Sequence, residues 1–104
     1  MTPVTDDRND PGLNKIGPDG MQESYLVLSK EERKKGFVRP VRQTYVHDKC
    51  GTATTMGYAL SETYARDPSF YGGTYCAGCK AHFNLINEDG KRAFHWEDGQ
   101  GVGE

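Results

Sequence analysis

Residues 41–46 predict a β-strand, with Val41, Gln43 and Tyr45 on one face and Arg42, Thr44 and Val46 on the other. Residues 52–56 are rich in β-branched side chains, so we expect them to pair back on the first strand as a hairpin. Residues 81–86 and 92–96 are also strand-like, and the Asn-Glu-Asp-Gly run between them predicts a hairpin turn. The pattern therefore predicts an antiparallel β domain.

Two short helices are predicted beside these strands. Residues 59–66 place their apolar side chains on one face, and the following Asp-Pro pair ends the helix. Ser29 and Glu32 form a capping-box pattern, and Gly36 is typical of a helix C terminus, so we expect a polar helix between them. The expected fold class is α+β, a small antiparallel β domain with one or two short helices.

The chain divides into four segments. Residues 1–20 contain three prolines, three glycines and four aspartates, so we expect a flexible acidic N-terminal tail. Residues 21–40 form a basic, polar segment around the short helix. Residues 41–98 form the β domain, and the glycine-rich residues 99–104 are expected to fray.

Length and composition exclude several classes of protein. The chain has 104 residues, which is room for one domain. No apolar run approaches the ~20 residues of a membrane span, and the N terminus lacks the apolar region of a secretory signal. Three cysteines cannot all pair within the chain, so reduced thiols and a cytoplasmic location are expected.

The strongest chemical signal is a pair of equally spaced motifs. His47 precedes Cys50 by three positions, and after 25 further residues Cys76 precedes Cys79 by three. Each pair fits a tight turn that directs two side chains to one point, and three thiolates with one imidazole suit tetrahedral Zn²⁺. Because four protein ligands leave no position for water, we expect one structural zinc ion.

Other interpretations of these residues remain open at this stage. His82 lies three residues after Cys79 and is an alternative fourth ligand. A thioredoxin-like redox pair at Cys76 and Cys79 would lack its usual βαβ context. The zinc deaminase pattern is broken because Lys49 stands in place of its glutamate, so we expect no catalytic residue and no enzyme activity.

The paired motifs, the strand before each and the closing strands resemble a zinc ribbon over residues 41–96. A β-tent, in which one zinc clamps two hairpin layers, is the neighbouring possibility. The runs from Gly36 to Pro40 and from Tyr58 to Tyr71 also loosely resemble small bacteriophage proteins, which would imply action in a bacterial host cytoplasm. Zinc ribbons serve transcription factors, polymerase subunits, ribosomal proteins and adaptors, so the resemblance leaves the function open.

Three functions remain as hypotheses. Aromatic enrichment favours a protein-interaction or adaptor module, although each ring also fits the core. Residues 30–42 have a net charge of +4 in a chain of net charge −2, which favours nucleic-acid binding, although Glu31 and Glu32 can pair with the lysines. An aromatic pocket in a β-tent could hold a small ligand. The candidate partner-binding residues are Arg33, Lys34, Lys35, Arg39, Arg42, Tyr58, Tyr64, Phe70 and Tyr71.

Overall fold

A computed structural model describes residues 4–104. The described residues contain two short α-helices and one 3₁₀ helix at Pro11–Asn14; the α-helices are α1 (Lys30–Arg33) and α2 (Tyr58–Arg66). The strands are β1 (Val4–Thr5), β2 (Tyr25–Leu26), β3 (Thr44–His47), β4 (Ala53–Thr55), β5 (Gly73–Cys76), β6 (Ala81–Asn84) and β7 (Phe94–Trp96). Within residues 4–104, no helix is long and apolar enough to cross a membrane.

Two antiparallel sheets carry the β domain. In the first, β3 lies between β4 and β7, and in the second β5 pairs with β6. Thr44 lies opposite Thr55, and Val46 lies opposite Ala53, so the predicted first hairpin is confirmed. A third, small sheet pairs β1 with β2 in parallel. Antiparallel sheets together with two helices agree with the expected α+β class.

The strand at residues 92–96 pairs differently from a simple hairpin. The predicted turn forms, because Asn87 N donates to Lys91 O at 2.8 Å and Ile86 bridges Arg92. The chain then leaves β6, and β7 pairs with β3 instead. This change of sheet buries Phe94 and Trp96, which are 0% and 3% exposed. Burial of these two rings in the common core is the physical reason for the crossover.

Both predicted helices are present. Ser29 Oγ accepts a hydrogen bond from Glu32 N at 3.2 Å and caps α1, and Gly36 adopts a left-handed φ of +114° after it. Helix α2 buries one face, where the edge of the Tyr64 ring meets Trp96 at a centroid distance of 5.5 Å. The apolar face that the sequence predicts for α2 thus packs against the core.

The N-terminal segment differs from the expected flexible tail. Residues 4–20 carry β1 and the 3₁₀ helix, and the Tyr75 hydroxyl donates to the Asp19 carbonyl. Gly20 has a φ of +84°, and a Cβ there would lie 1.9 Å from the Lys80 carbonyl oxygen. The composition of this segment predicts little burial. The hydrogen bond from the Tyr75 hydroxyl to its backbone comes from a distant strand, so the local composition does not reveal it.

The C-terminal residues also differ from the expected frayed end. Val102 is fully buried, and its N–H donates to Phe94 O at 2.9 Å. Arg92 and Glu104 form an ion pair at 3.4 Å. One apolar side chain among the glycines is sufficient to hold residues 99–104 on the edge of β7.

Candidate metal centre

The first pair of candidate ligands lies in the turn between β3 and β4. His47 is the last residue of β3, and Cys50 lies three residues later in the turn. Gly51 has a φ of +72°, and its N–H donates to His47 O at 2.7 Å. A glycine suits this position because left-handed backbone carries little penalty without a Cβ.

The second pair repeats this geometry in the turn between β5 and β6. Cys76 ends β5, and Cys79 lies three residues later. Lys80 has a φ of +54°, and its N–H donates to Cys76 O at 2.8 Å. Both turns therefore have a ligand at the strand end, a second ligand three positions on, and a left-handed residue after it.

The two turns bring all four predicted ligands together. Their ligand atoms lie within 4.8 Å of one another. Cys50 Sγ lies 3.5 Å from His47 Nδ1 and 3.4 Å from Cys76 Sγ. Cys79 Sγ lies 3.7 Å from the same nitrogen. This cluster could hold a metal ion.

Each turn contributes one buried and one exposed ligand. His47 and Cys76 are 3% and 0% exposed, whereas Cys50 and Cys79 are exposed. An ion bound by all four atoms would therefore contact the core on one side and approach solvent on the other. A bound ion would tie the first sheet to the second, because each turn belongs to a different sheet.

Two phenyl rings hold the imidazole of His47. The Phe94 ring stacks on it at a centroid distance of 4.6 Å with an angle of 20°, and the Phe83 ring approaches at 4.6 Å. The two rings lie on adjacent sides of the imidazole, since their own centroids are 6.5 Å apart, and together they limit its rotation. Sequence reasoning did not assign Phe83 or Phe94 to the site, because they lie on strands that meet His47 only in the folded chain.

Hydrogen bonds prepare Cys50 for metal binding. The Thr52 hydroxyl and backbone lower the pKa of the Cys50 thiol to about 6, because both favour the thiolate. Thiolate is the form that ligates a metal. Gly78 lies against Thr52, and a Cβ at this glycine would lie 2.3 Å from Thr52 Oγ1. The contact of Thr52 with Cys50 could not be inferred from the spacing of the cysteines and the histidine.

His82 occupies a different environment from the four ligands. Its Nε2 lies 2.9 Å from the Tyr25 hydroxyl, and its ring packs against Tyr75. In the described part of the chain, the cluster of ligand atoms contains His47 and not His82. The geometry thus favours the first of the two predicted ligand sets.

The candidate aromatic binding residues lie in different environments. Tyr64 was predicted to bind a partner, but its side chain is 4% exposed and belongs to the core. It is therefore not part of an exposed binding surface. Phe70 and Tyr71 are half-buried, and the Tyr71 hydroxyl donates to Leu26 O. Tyr58 is 70% exposed. The structure therefore separates these rings rather than forming one aromatic surface.

The candidate basic residues are partly neutralised by carboxylates. Arg33 contacts Glu62 at 2.6 Å, and Lys35 contacts Glu32 at 2.9 Å. The remaining cations lie in different settings. Arg42 pairs with Asp98 and covers the Trp96 ring, Arg39 donates to the Glu104 carbonyl, and Lys34 is exposed. These ion pairs reduce the charge that the segment offers to a polyanion.

Comparison with known proteins found no match to a family model, a curated protein or a solved structure. The function is therefore inferred from the geometry of the site.

Proposed function

We propose that the chain is a non-catalytic, zinc-ribbon-like domain in which one structural Zn²⁺ joins two β-hairpins, and that the domain acts as a protein-interaction module. The observation that carries the proposal is the convergence of three sulfurs and one imidazole nitrogen within 4.8 Å. A tetrahedral zinc with bonds of about 2.3 Å to sulfur and about 2.0 Å to nitrogen places neighbouring ligand atoms about 3.5–3.8 Å apart. Three of the six separations between these atoms are 3.4–3.7 Å, close to that geometry, and all six are within 4.8 Å.

The ligand set supports a structural rather than a catalytic ion. Four protein ligands fill a tetrahedral shell, so no coordination position remains for a reacting water. The β domain is small, and domains of this size gain stability from a bound metal. Zinc binding and folding are then coupled.

Native mass spectrometry of the full chain tests the metal directly. We expect one zinc per chain, which EDTA removes together with the folded state. Cys76→Ser should weaken zinc binding and lower the apparent free energy of unfolding by about 3 kcal/mol or more. Metal-free protein that melts like the zinc-loaded protein would contradict the proposal.

An exposed apolar strip supports the interaction role. Phe37, Val38 and Val41 form this strip and are 45%, 57% and 38% exposed. Val38 N and Arg39 N both donate to the Ala65 carbonyl at the end of α2, at 2.8 and 3.1 Å. The backbone is thus held in place before binding, which lowers the ordering cost of association. The exposed Arg39 favours a partner with an apolar patch and an acidic rim.

Site-specific crosslinking tests the strip. A photoreactive residue at Val38 should crosslink one discrete protein in bacterial lysate, and Phe37→Ser should abolish the adduct. The matched control carries the photoreactive residue at Ile16, which is 59% exposed but lies outside the strip. The same adducts from both positions, or none from either, would contradict an interaction surface here. Zinc stoichiometry is measured on the same samples, so that loss of metal and loss of partner are separated.

A further inference from the structure

A cleft lies between the N-terminal segment and the β domain. Its volume is about 290 Å³. Leu13, Met21 and Tyr25 line one wall, while Leu60 and Tyr64 of α2 line the other. None of the four metal ligands contributes to the lining. The cleft is therefore a feature separate from the metal centre and from the apolar strip.

The lining of the cleft is apolar and uncharged. Among the described residues, its walls contain no aspartate, glutamate, lysine or arginine. His82 lies at the cleft, and its burial lowers its pKa, so its imidazole is neutral at pH 7. Since an ion would lose its hydration without gaining an opposite charge, such a cleft favours uncharged ligands.

Several polar groups around the cleft are already paired. Thr74 Oγ1 donates to the Tyr45 hydroxyl at 3.2 Å, and this hydroxyl donates to the Tyr75 carbonyl. The Tyr25 hydroxyl contacts His82 and accepts a hydrogen bond from Gln22 N at 3.2 Å. These bonds fix the orientation of the tyrosine rings that line the walls.

The Tyr64 hydroxyl interacts with the side chain of Thr74, whose own proton is donated to the Tyr45 hydroxyl. Burial raises the pKa of Tyr64 well above its ordinary value, so the phenol stays protonated and remains a donor. Because Tyr64 lines the cleft, an acceptor on a ligand would compete with Thr74 for this donor.

We propose that this cleft binds a small, uncharged ligand with a planar one- or two-ring system and a hydrogen-bond acceptor that receives the Tyr64 hydroxyl. Aromatic walls favour a planar ring through offset and edge-to-face contacts. The volume lies near the lower limit of small-molecule sites, which restricts the size of the ligand. An apolar cleft with a few oriented polar groups is the usual form of such a site.

Three probes with similar ring systems test the proposal on the full, zinc-loaded chain. Quinoline has a ring acceptor, naphthalene has none, and naphthalene-2-sulfonate adds a charge. We expect quinoline to shift the backbone amide resonances of Thr54, Gly73 and Thr74, which line the cleft. Naphthalene should bind more weakly, and the sulfonate should not bind. Equal binding of the sulfonate, or no shift of these amides by quinoline, would overturn the proposal.

Substitutions in the cleft show where the probes bind and distinguish a loss of binding from a loss of folding. Tyr64→Phe should weaken quinoline binding about three- to tenfold and leave naphthalene unchanged, since only the donor is removed. Gln22→Trp should obstruct the cleft for both probes. Glu23→Trp is its control, because Glu23 is exposed and does not line the cleft. Equal loss of quinoline binding in the Gln22 and Glu23 variants would place the probe elsewhere and refute the assignment.

Discussion

The four candidate ligands depend on neighbours that are distant in sequence. His47 packs against Phe83 and Phe94, and Thr52 favours the Cys50 thiolate. Spacing predicted all four ligands, because a tight turn imposes a local geometry that sequence reveals. The supporting residues could not be predicted, since their contact with the ligands requires strands from two sheets to meet. Local pattern thus identifies the candidate ligands, and tertiary contacts orient them.

Substitution of each histidine distinguishes the two ligand sets. His47→Gln should lose bound zinc and lower the apparent free energy of unfolding by about 3 kcal/mol or more, because three ligands remain. His82→Gln is the matched control and should keep one zinc per chain, because His82 contacts Tyr25 instead. Metal content by native mass spectrometry and melting with and without EDTA measure both effects. Zinc loss confined to the His82 variant would reverse the assignment.

Among the elements, α1 and α2 are joined by an ion pair that their sequences do not reveal. Ser29, Glu32 and Gly36 predict α1 from local capping alone. Arg33, counted in the sequence as part of a basic patch, contacts Glu62 of α2 at 2.6 Å. The partner lies 29 residues away, so only the docking of the two helices reveals it.

A double-mutant cycle measures this helix–helix contact. We expect Arg33→Met and Glu62→Gln to couple by about 1 kcal/mol, because the Arg33–Glu62 pair is partly buried. The exposed pair Lys35–Glu32 serves as the control and should show a much smaller coupling that salt removes. The measurement is urea unfolding of each set of four proteins. Equal coupling in both pairs would contradict a structural role for Arg33.

A glycine positions the N-terminal segment against the β5–β6 turn. Gly20→Ala should cost about 2 kcal/mol or more, because a Cβ at a φ of +84° meets the Lys80 carbonyl. Limited proteolysis should then cleave within residues 4–28 more readily. Gly72→Ala is the control, since no atom lies within 4 Å of its Cβ position, and it should change stability by less than about 0.5 kcal/mol. Unchanged protease resistance in the Gly20 variant would mean that the segment does not depend on this contact.

Across the whole molecule, buried tyrosines make stability sensitive to alkaline pH. Burial raises the pKa of Tyr45 to about 12 and also raises the pKa values of Tyr64 and Tyr71. A tyrosine in the unfolded chain ionises near pH 10. The folded state therefore holds these protons more tightly, so their contribution is fully present below about pH 10 and is lost as pH rises toward about 12.

We expect cooperative unfolding above about pH 10, together with the ultraviolet absorbance of tyrosinate. Tyr45→Phe should reduce the dependence of stability on pH in this range, because one buried phenol is removed. Tyr58→Phe is the control and should leave this dependence unchanged, since Tyr58 is 70% exposed. Gradual tyrosinate formation with no loss of near-ultraviolet circular dichroism would contradict the prediction.

The sequence alone determined the features set by local geometry. Strand-like and β-branched residues predicted the hairpin of β3 and β4, one-sided spacing predicted α2, and equal spacing predicted the two turns that hold the candidate ligands. Tertiary structure decided the rest. Trp96 joins the sheet of β3, Val102 enters the core, and Leu13 lines a cleft against the β domain, because each is held by groups far along the chain. Such contacts gain their free energy from burial between elements, which periodicity within one element does not encode.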